Sequence, residues 1–296
     1  MKQSLMQSPW LSGRKVFGTL ILLLGASYAL QQLVLLMQQQ QNVRYAFYAG
    51  MAAAGATAGG ALPALFLKHL SQKLHDVMLG FGAGVMLAAC MFSLIVPALA
   101  ILELSGASVW RSSGSVALAI LLGATIMLLV ERLVPHQHFI KEEDRARGLK
   151  LRRSWLFVFA IILHNLPEGL AIGASYASGD IAAATALATG ISVQDIPEGL
   201  VVAMALLAAG YSRTLAVGMA VLSGLTEPIM AVVGAAVLGD SSLLLPWGLA
   251  LAAGAMLFVI SHEMIPESHR QGHELPATTG LMLGFVLMML LDTALG

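Results

Sequence analysis

Charge is scarce in this chain. Only 11% of its 296 residues are charged and 58% are hydrophobic, and mean hydropathy is +0.82. An average soluble domain carries roughly 25% charged residues. The deficit excludes an ordinary soluble protein and indicates an integral membrane protein. Net charge is zero, so no basic surface argues for a nucleic-acid partner. Cysteine is almost absent: Cys90 stands alone in an apolar run, which excludes an internal disulfide and leaves the compartment unread. Aromatic residues are few, at 6%. No G-x-G-x-x-G, P-loop or haem-attachment pattern occurs, and "HEMIP" at His262 is not the zinc-protease H-E-x-x-H. Glycine (30) and methionine (16), by contrast, are abundant. Glycine-rich apolar helices suit close packing in lipid.

Nine hydrophobic segments follow one another, near 16–38, 45–67, 77–103, 115–134, 155–178, 181–209, 213–238, 244–264 and 277–295. Each is close to the roughly 20 residues a spanning helix needs. The expected fold is therefore an all-α integral membrane protein. The first segment has a basic flank, Arg14 and Lys15, as a signal peptide would. No small-residue cleavage site follows it; the run ends in Met37 and "QQQQ", and a retained helix is expected. The connection 135–154 carries Lys141, Arg145, Arg147, Lys150, Arg152 and Arg153, which places it in the cytoplasm. Alternation then puts the N-terminus, Lys68, Lys73, Arg213 and Arg270 on the same side and the C-terminus outside. Of the sixteen basic residues only Arg44 and Arg111 fall outside.

Polar residues interrupt three consecutive segments. The fifth contains "HNLPEG", with His164, Asn165, Pro167 and Glu168; the sixth contains "QDIPEG", with Gln194, Asp195, Pro197 and Glu198; the seventh adds Glu227 before Pro228. His164 and Glu168 are four apart and share a helix face, as do Gln194 and Glu198. An ionisable group at mid-membrane costs at least roughly 2.5–3.5 kcal/mol on insertion scales. No lysine or arginine lies in the middle of a segment to offset Glu168, Asp195, Glu198 and Glu227. Protons, water or metal cations remain. Two divalent ions would balance four ionised carboxylates, and imidazole and carboxylate are ordinary ligands for zinc and similar ions. Protonated carboxylates would balance the charge equally well. Pro167 and Pro197 free the carbonyls of Leu163 and Val193, and kinked backbone at membrane depth belongs where it lines a cavity. The two motifs run in opposite directions through the membrane, which points to a binding site at their interface.

The H-N-x-P-E-G helix, the x-x-P-E-G helix about thirty residues later and Glu227 on the next segment resemble the ZIP family of divalent metal transporters. The short inner connection and Gln194-Asp195 are similar to its bacterial branch. The resemblance spans roughly 45–296. It implies an eight-helix transport domain there, with 1–44 as a cytoplasmic tail and one extra peripheral transmembrane helix. It also implies a binuclear site formed by His164, Asn165, Glu168, Gln194, Asp195, Glu198 and Glu227, with Glu168 and Glu198 bridging the ions. Met86, which composition alone would read as packing, matches a further ligand position. The implied cargo is Zn²⁺, Cd²⁺, Fe²⁺ or Mn²⁺, moved into the cytoplasm across a bacterial inner membrane by an elevator-like slide, commonly in a homodimer. Metal is substrate here, and no cofactor is implied.

Two further polar groups lie on the expected cytoplasmic side. The connection 135–154 holds His136, His138, Glu142, Glu143 and Asp144, which an ordinary solvated loop would also explain. The end of the eighth segment reads "SHEMIPESHRQGHE", where His262, Glu263 and His273 form a candidate release site. Asp76 and Asp292, near segment ends, receive no role. Two rival functions stand beside metal transport. One is a proton-coupled transporter whose carboxylates carry only protons. The other is an intramembrane di-metal enzyme, since helical bundles do hold such centres. The proline kinks and inverted placement suit a pathway better than a rigid catalytic cage, and a non-enzymatic role is expected.

Overall fold

The computed structural model describes residues 13–133, 162–239 and 241–295. Among these, nine helices follow one another and there is no strand. They are α1 (Gly13–Gln39), α2 (Gln41–Ala61), α3 (Gln72–Leu104), α4 (Val109–Leu133), α5 (162–177), α6 (Ile181–Ala208), α7 (Arg213–Leu238), α8 (Leu244–His269) and α9 (Glu274–Leu295). Each expected hydrophobic segment has its helix. Seven of them, all but α2 and α5, are long and apolar enough to cross a membrane. The connection 135–154, with its histidines and acidic run, lies outside the described residues.

Local sequence sets the ends of the helices. Ser71, Asp180 and Ser212 precede α3, α6 and α7, and each side chain accepts a backbone N–H from the first turn. Gly179 and Gly210 flank α6 with φ of 82° and 94°, a backbone shape that costs glycine nothing. Interruptions inside the helices also have identifiable causes. Pro167 and Pro197 sit within α5 and α6. In α3 a π turn, Cys90–Ile95, immediately precedes Val96-Pro97; in α8 another, Ile260–Met264, precedes Ile265-Pro266. Proline removes one helix N–H and crowds the preceding turn, and a widened turn relieves that crowding.

The helices pack in two groups, α2, α5, α6 and α7 in one and α3, α4, α8 and α9 in the other. Within each group, glycine brings backbone against backbone. Gly60 of α2 faces the Ile196 carbonyl of α6, and Gly199 of α6 faces the Thr57 carbonyl of α2. Gly169 and Gly173 of α5 lie on the carbonyls of Glu227 and Ala231 of α7. In the second group Gly80 and Gly84 meet carbonyls of α9, and Gly123 and Gly254 join α4 to α8 in the same way. A Cβ at any of these positions would come within 3.0 Å of a backbone atom. Between the groups the contacts differ. Gly82, Gly190 and Gly248 face the side chains of Gln194, Met288 and Leu238. Helices in lipid gain little from burying apolar surface against one another, so close van der Waals packing decides their association. The groups are thus locked internally by backbone contacts and meet each other through side chains.

Helix α1 stands apart. It packs chiefly on α2, where Leu36 and Met37 reach the core, while its apolar stretch is otherwise uncovered.

Two adjacent glycines of α2 test this packing. Gly60→Ala drives a Cβ into the Ile196 carbonyl, whereas a Cβ on Gly59 meets nothing within 4 Å. Gly60→Ala is expected to destabilise the protein by about 1–3 kcal/mol, the usual range for overpacking. Gly59→Ala should leave the melting temperature of the purified protein within a degree or two of the parent.

Candidate metal centre

The polar clusters of α5, α6 and α7 meet in the interior of the first group. Helix α7 is broken at Leu225, between Arg213–Gly224 and Thr226–Leu238, and Glu227 occupies the first turn of the second piece. A helix N-terminus carries partial positive charge and favours a carboxylate there. Glu168, Gln194 and Glu227 are fully buried, and Asn165 and Asp195 are 1% exposed. Ligand atoms of Glu168, Asp195 and Glu198 all lie within 4.8 Å of one another.

Two amides hold the carboxylates in place. Gln194 Nε2 donates to Glu168 Oε1 and to Asp195 Oδ1, both at 2.7 Å. Asn165 Nδ2 donates to Glu227 Oε1 at 3.3 Å, and Thr57 Oγ1 on α2 donates to the same oxygen at 3.3 Å. Thr57 was missed by the motif reading, because a lone threonine in the Gly/Ala-rich α2 carries no local pattern.

The remaining oxygens are unsatisfied. Asn165 Oδ1, Glu168 Oε2, Gln194 Oε1, Asp195 Oδ2, Glu198 Oε2 and Glu227 Oε2 are buried without a hydrogen-bond partner among the described residues. A buried acceptor left without a donor costs about 1–3 kcal/mol. No lysine or arginine pairs with these groups among the described residues. Acceptors converging from three helices, with no donor to meet them, form a site that a cation can satisfy. Carboxylate, amide oxygen and a nearby imidazole together suit divalent first-row metals.

His164 stands at the edge of this centre. Its Nε2 lies 3.3 Å from Glu263 Oε2 on α8, across the seam between the two groups. It lines a small cavity of about 70 Å³ with Gln194, Glu198, Gly82 and Met264. That is space enough for ordered water. His164 also lines a cavity of about 1250 Å³ that runs past His262 and Glu263 to Lys68, His75 and Arg270. The two cavities share His164, Leu79, Val201 and Met264 in their walls, and the larger one reaches Lys68 and Arg270. Met86 is fully buried on α3, one turn beyond Gly82, and lines neither cavity.

The three release candidates take separate partners. Glu263 pairs with His164. His262 Nε2 lies 3.2 Å from Glu131 Oε1 on α4, with its ring stacked on Phe258 at 5.0 Å. His273 Nδ1 lies 2.8 Å from Asp76 Oδ2. Glu131 and Asp76 were not assigned from sequence, where each is a single acid near a segment end.

Comparison with known proteins places the chain among transporters. Residues 136–292 match the family model described as ZIP Zinc transporter. The chain is 46% identical over 262 residues to the zinc transporter ZIPB of Bordetella bronchiseptica, covering 88% of this chain and 84% of that one. It is 46% identical over 248 residues to the zinc transporter GufA of Myxococcus xanthus, covering 84% and 98%. The zinc transporter ZupT of Streptococcus mutans is 31% identical over 250 residues, covering 80% and 92%. These are transporters and not enzymes. An all-helical fold, a buried acceptor cluster on the two P-E-G helices and matches across most of the length lead to one assignment: the chain belongs to the ZIP zinc transporter family.

Proposed function

We propose that this protein carries Zn²⁺ across the bacterial inner membrane into the cytoplasm through a binuclear centre inside the first helix group. The observation that carries this reading is the set of six buried oxygens without donors on Asn165, Glu168, Gln194, Asp195, Glu198 and Glu227. Four carboxylates and two divalent ions are neutral together. Glu168 and Glu198 bridge the ions. Asn165 and Glu227 stand toward one ion, Gln194 and His164 toward the other, so the two positions have unequal surroundings. Met86 on α3 completes the ligand set from across the seam. Support for its role comes from Gly82, one turn earlier, which faces the Gln194 amide. Oxygen-rich ligands with one imidazole also accept Cd²⁺, Fe²⁺ or Mn²⁺.

Direction follows from the hollow and the charges. The large cavity reaches the face bearing Lys68 and Arg270, and positive residues mark the cytoplasmic side. The N-terminus is then cytoplasmic and the C-terminus outside. The ion leaves past His164 and Glu263, then His262 and His273. The seam of side chains between two backbone-locked groups supports a slide of α2, α5, α6 and α7 against α3, α4, α8 and α9. The protein works as a homodimer.

Zn²⁺ uptake into liposomes containing the purified chain tests the reading. If no Zn²⁺, Cd²⁺, Fe²⁺ or Mn²⁺ crosses down its gradient, the protein is not a metal transporter. Glu168→Gln and Glu198→Gln are each expected to weaken metal binding at least about 10-fold, since even outer partners of a ligand cost 10–100-fold. His164→Ala should transport far below the parent rate, and normal flux would remove His164 from the route.

Acid supplies a second test. Protons compete with metal for the same carboxylate oxygens, so flux should fall steadily as pH drops into the carboxylate range. Flux that rose on acidification would point to proton-driven transport instead.

A further inference from the structure

Of the seven candidate spans among the described residues, α1 alone buries none of its most apolar stretch; the other six are 17–56% covered. Phe17, Leu22, Leu24 and Tyr28 all stand exposed along it. Lipid can cover a purely apolar helix, but α1 is not purely apolar. Gln31 and Gln32 interrupt it, Gln31 exposed and Gln32 partly covered. At 1.5 Å per residue they lie roughly 10 Å inside Gln38, where the polar end of the helix begins. Neither amide has a hydrogen-bond partner among the described residues. Hydrocarbon offers an amide no donor and no acceptor. In membranes such side chains find their partners on another helix.

Helix α1 also keeps a seven-residue period. Gly18, Gly25, Gln32 and Gln39 are spaced by seven, and Ile21, Tyr28 and Leu35 repeat three residues after the first three of them. Two such series form the seam of a left-handed helix pair. Leu36 and Met37, which reach the core beside α2, belong to neither series. A Cβ on Gly18 or Gly25 meets nothing within 4 Å, so this seam is open in the single chain.

We propose that α1 is a dimerisation helix, which pairs in parallel with α1 of a second copy of this chain. Identical chains inserted in one bilayer share an orientation, so a two-fold axis along the membrane normal sets each seam residue against its own twin. Gln32 then faces Gln32. A primary amide carries two donor hydrogens and an acceptor oxygen, so each satisfies the other. One polar layer within an apolar seam also fixes the register of the pair. Gly18 and Gly25 let the two backbones approach closely, and Ile21, Tyr28 and Leu35 fill the layers between. Gln31, one residue before Gln32, flanks the seam within reach of the same amides. This inference rests on the homodimer reading and names the surface through which the copies meet.

The test uses the full chain in liposomes. Single cysteines are placed along α1 and oxidised mildly, with the parent as background, since its own Cys90 is buried in α3. Gly25→Cys, Tyr28→Cys and Gln32→Cys are expected to give a disulfide-linked dimer. Leu30→Cys and Val34→Cys, on the side away from the seam, are expected to give none. Gly25→Leu combined with Gln32→Leu should then convert dimers to monomers, read as photobleaching steps per labelled particle. Its Zn²⁺ uptake is measured alongside, to show that the variant is folded. Cross-linking spread evenly round α1, or confined to Leu30→Cys and Val34→Cys, overturns the proposal. So does a step count that the double variant leaves unchanged: the homodimer reading then stands, and α1 is covered by lipid alone. A parent chain that bleaches in single steps removes the homodimer reading itself, and the α1 pair with it.

Discussion

Carboxylates crowded inside an apolar slab, with acceptor oxygens facing acceptor oxygens, are the constraint that organises this molecule. Water cannot reach Glu168, Asp195 and Glu227 freely, and no basic side chain pairs with them among the described residues. Two amides and a hydroxyl hold one oxygen each of Glu168, Asp195 and Glu227, leaving the second oxygen of each for something positively charged. Such a cluster is tolerable only if its supports are rigid, because each unmet acceptor would otherwise pull the helices apart to reach water.

Glycine supplies that rigidity. The helices that bear the cluster are pressed backbone to backbone through Gly60, Gly199, Gly169 and Gly173, with no side chain between them. Pro167, Pro197 and the break at Leu225 lie beside the polar side chains that three helices bring together. The second helix group is built on the same scheme but contributes side chains to the seam, such as Met288 and Leu238. Backbone contacts stiffen each group, and side chains make the boundary between them. His164 and Glu263 span that boundary, so the link between centre and hollow is made by one group's imidazole and the other group's carboxylate.

Much of this was legible in the chain. Nine apolar runs foretold the nine helices found among the described residues, because hydropathy is a local property. The P-E-G clusters were legible for the same reason: their spacing within one helix decides which side chains share a face. Partners on other helices were not. Thr57 reaches Glu227 from 170 residues away, and nothing in the Gly/Ala run of α2 announces it. The grouping of His262, Glu263 and His273 came from nearness in sequence. In space His262 and Glu263 share one π turn and His273 lies beyond the end of α8, and each meets a carboxylate or imidazole on another helix.

By itself, the sequence determined the membrane class, the helix that each apolar run forms among the described residues and the identity of the buried polar residues. Hydropathy, helical period and charge asymmetry are all written along the chain. Tertiary structure alone decided that Gln194 grips two carboxylates, that His164 turns toward Glu263, and that Asp76 gathers two imidazoles. Those contacts depend on the angle and depth at which separate helices cross. Glycine contacts between distant carbonyls set that geometry, and no local pattern encodes it.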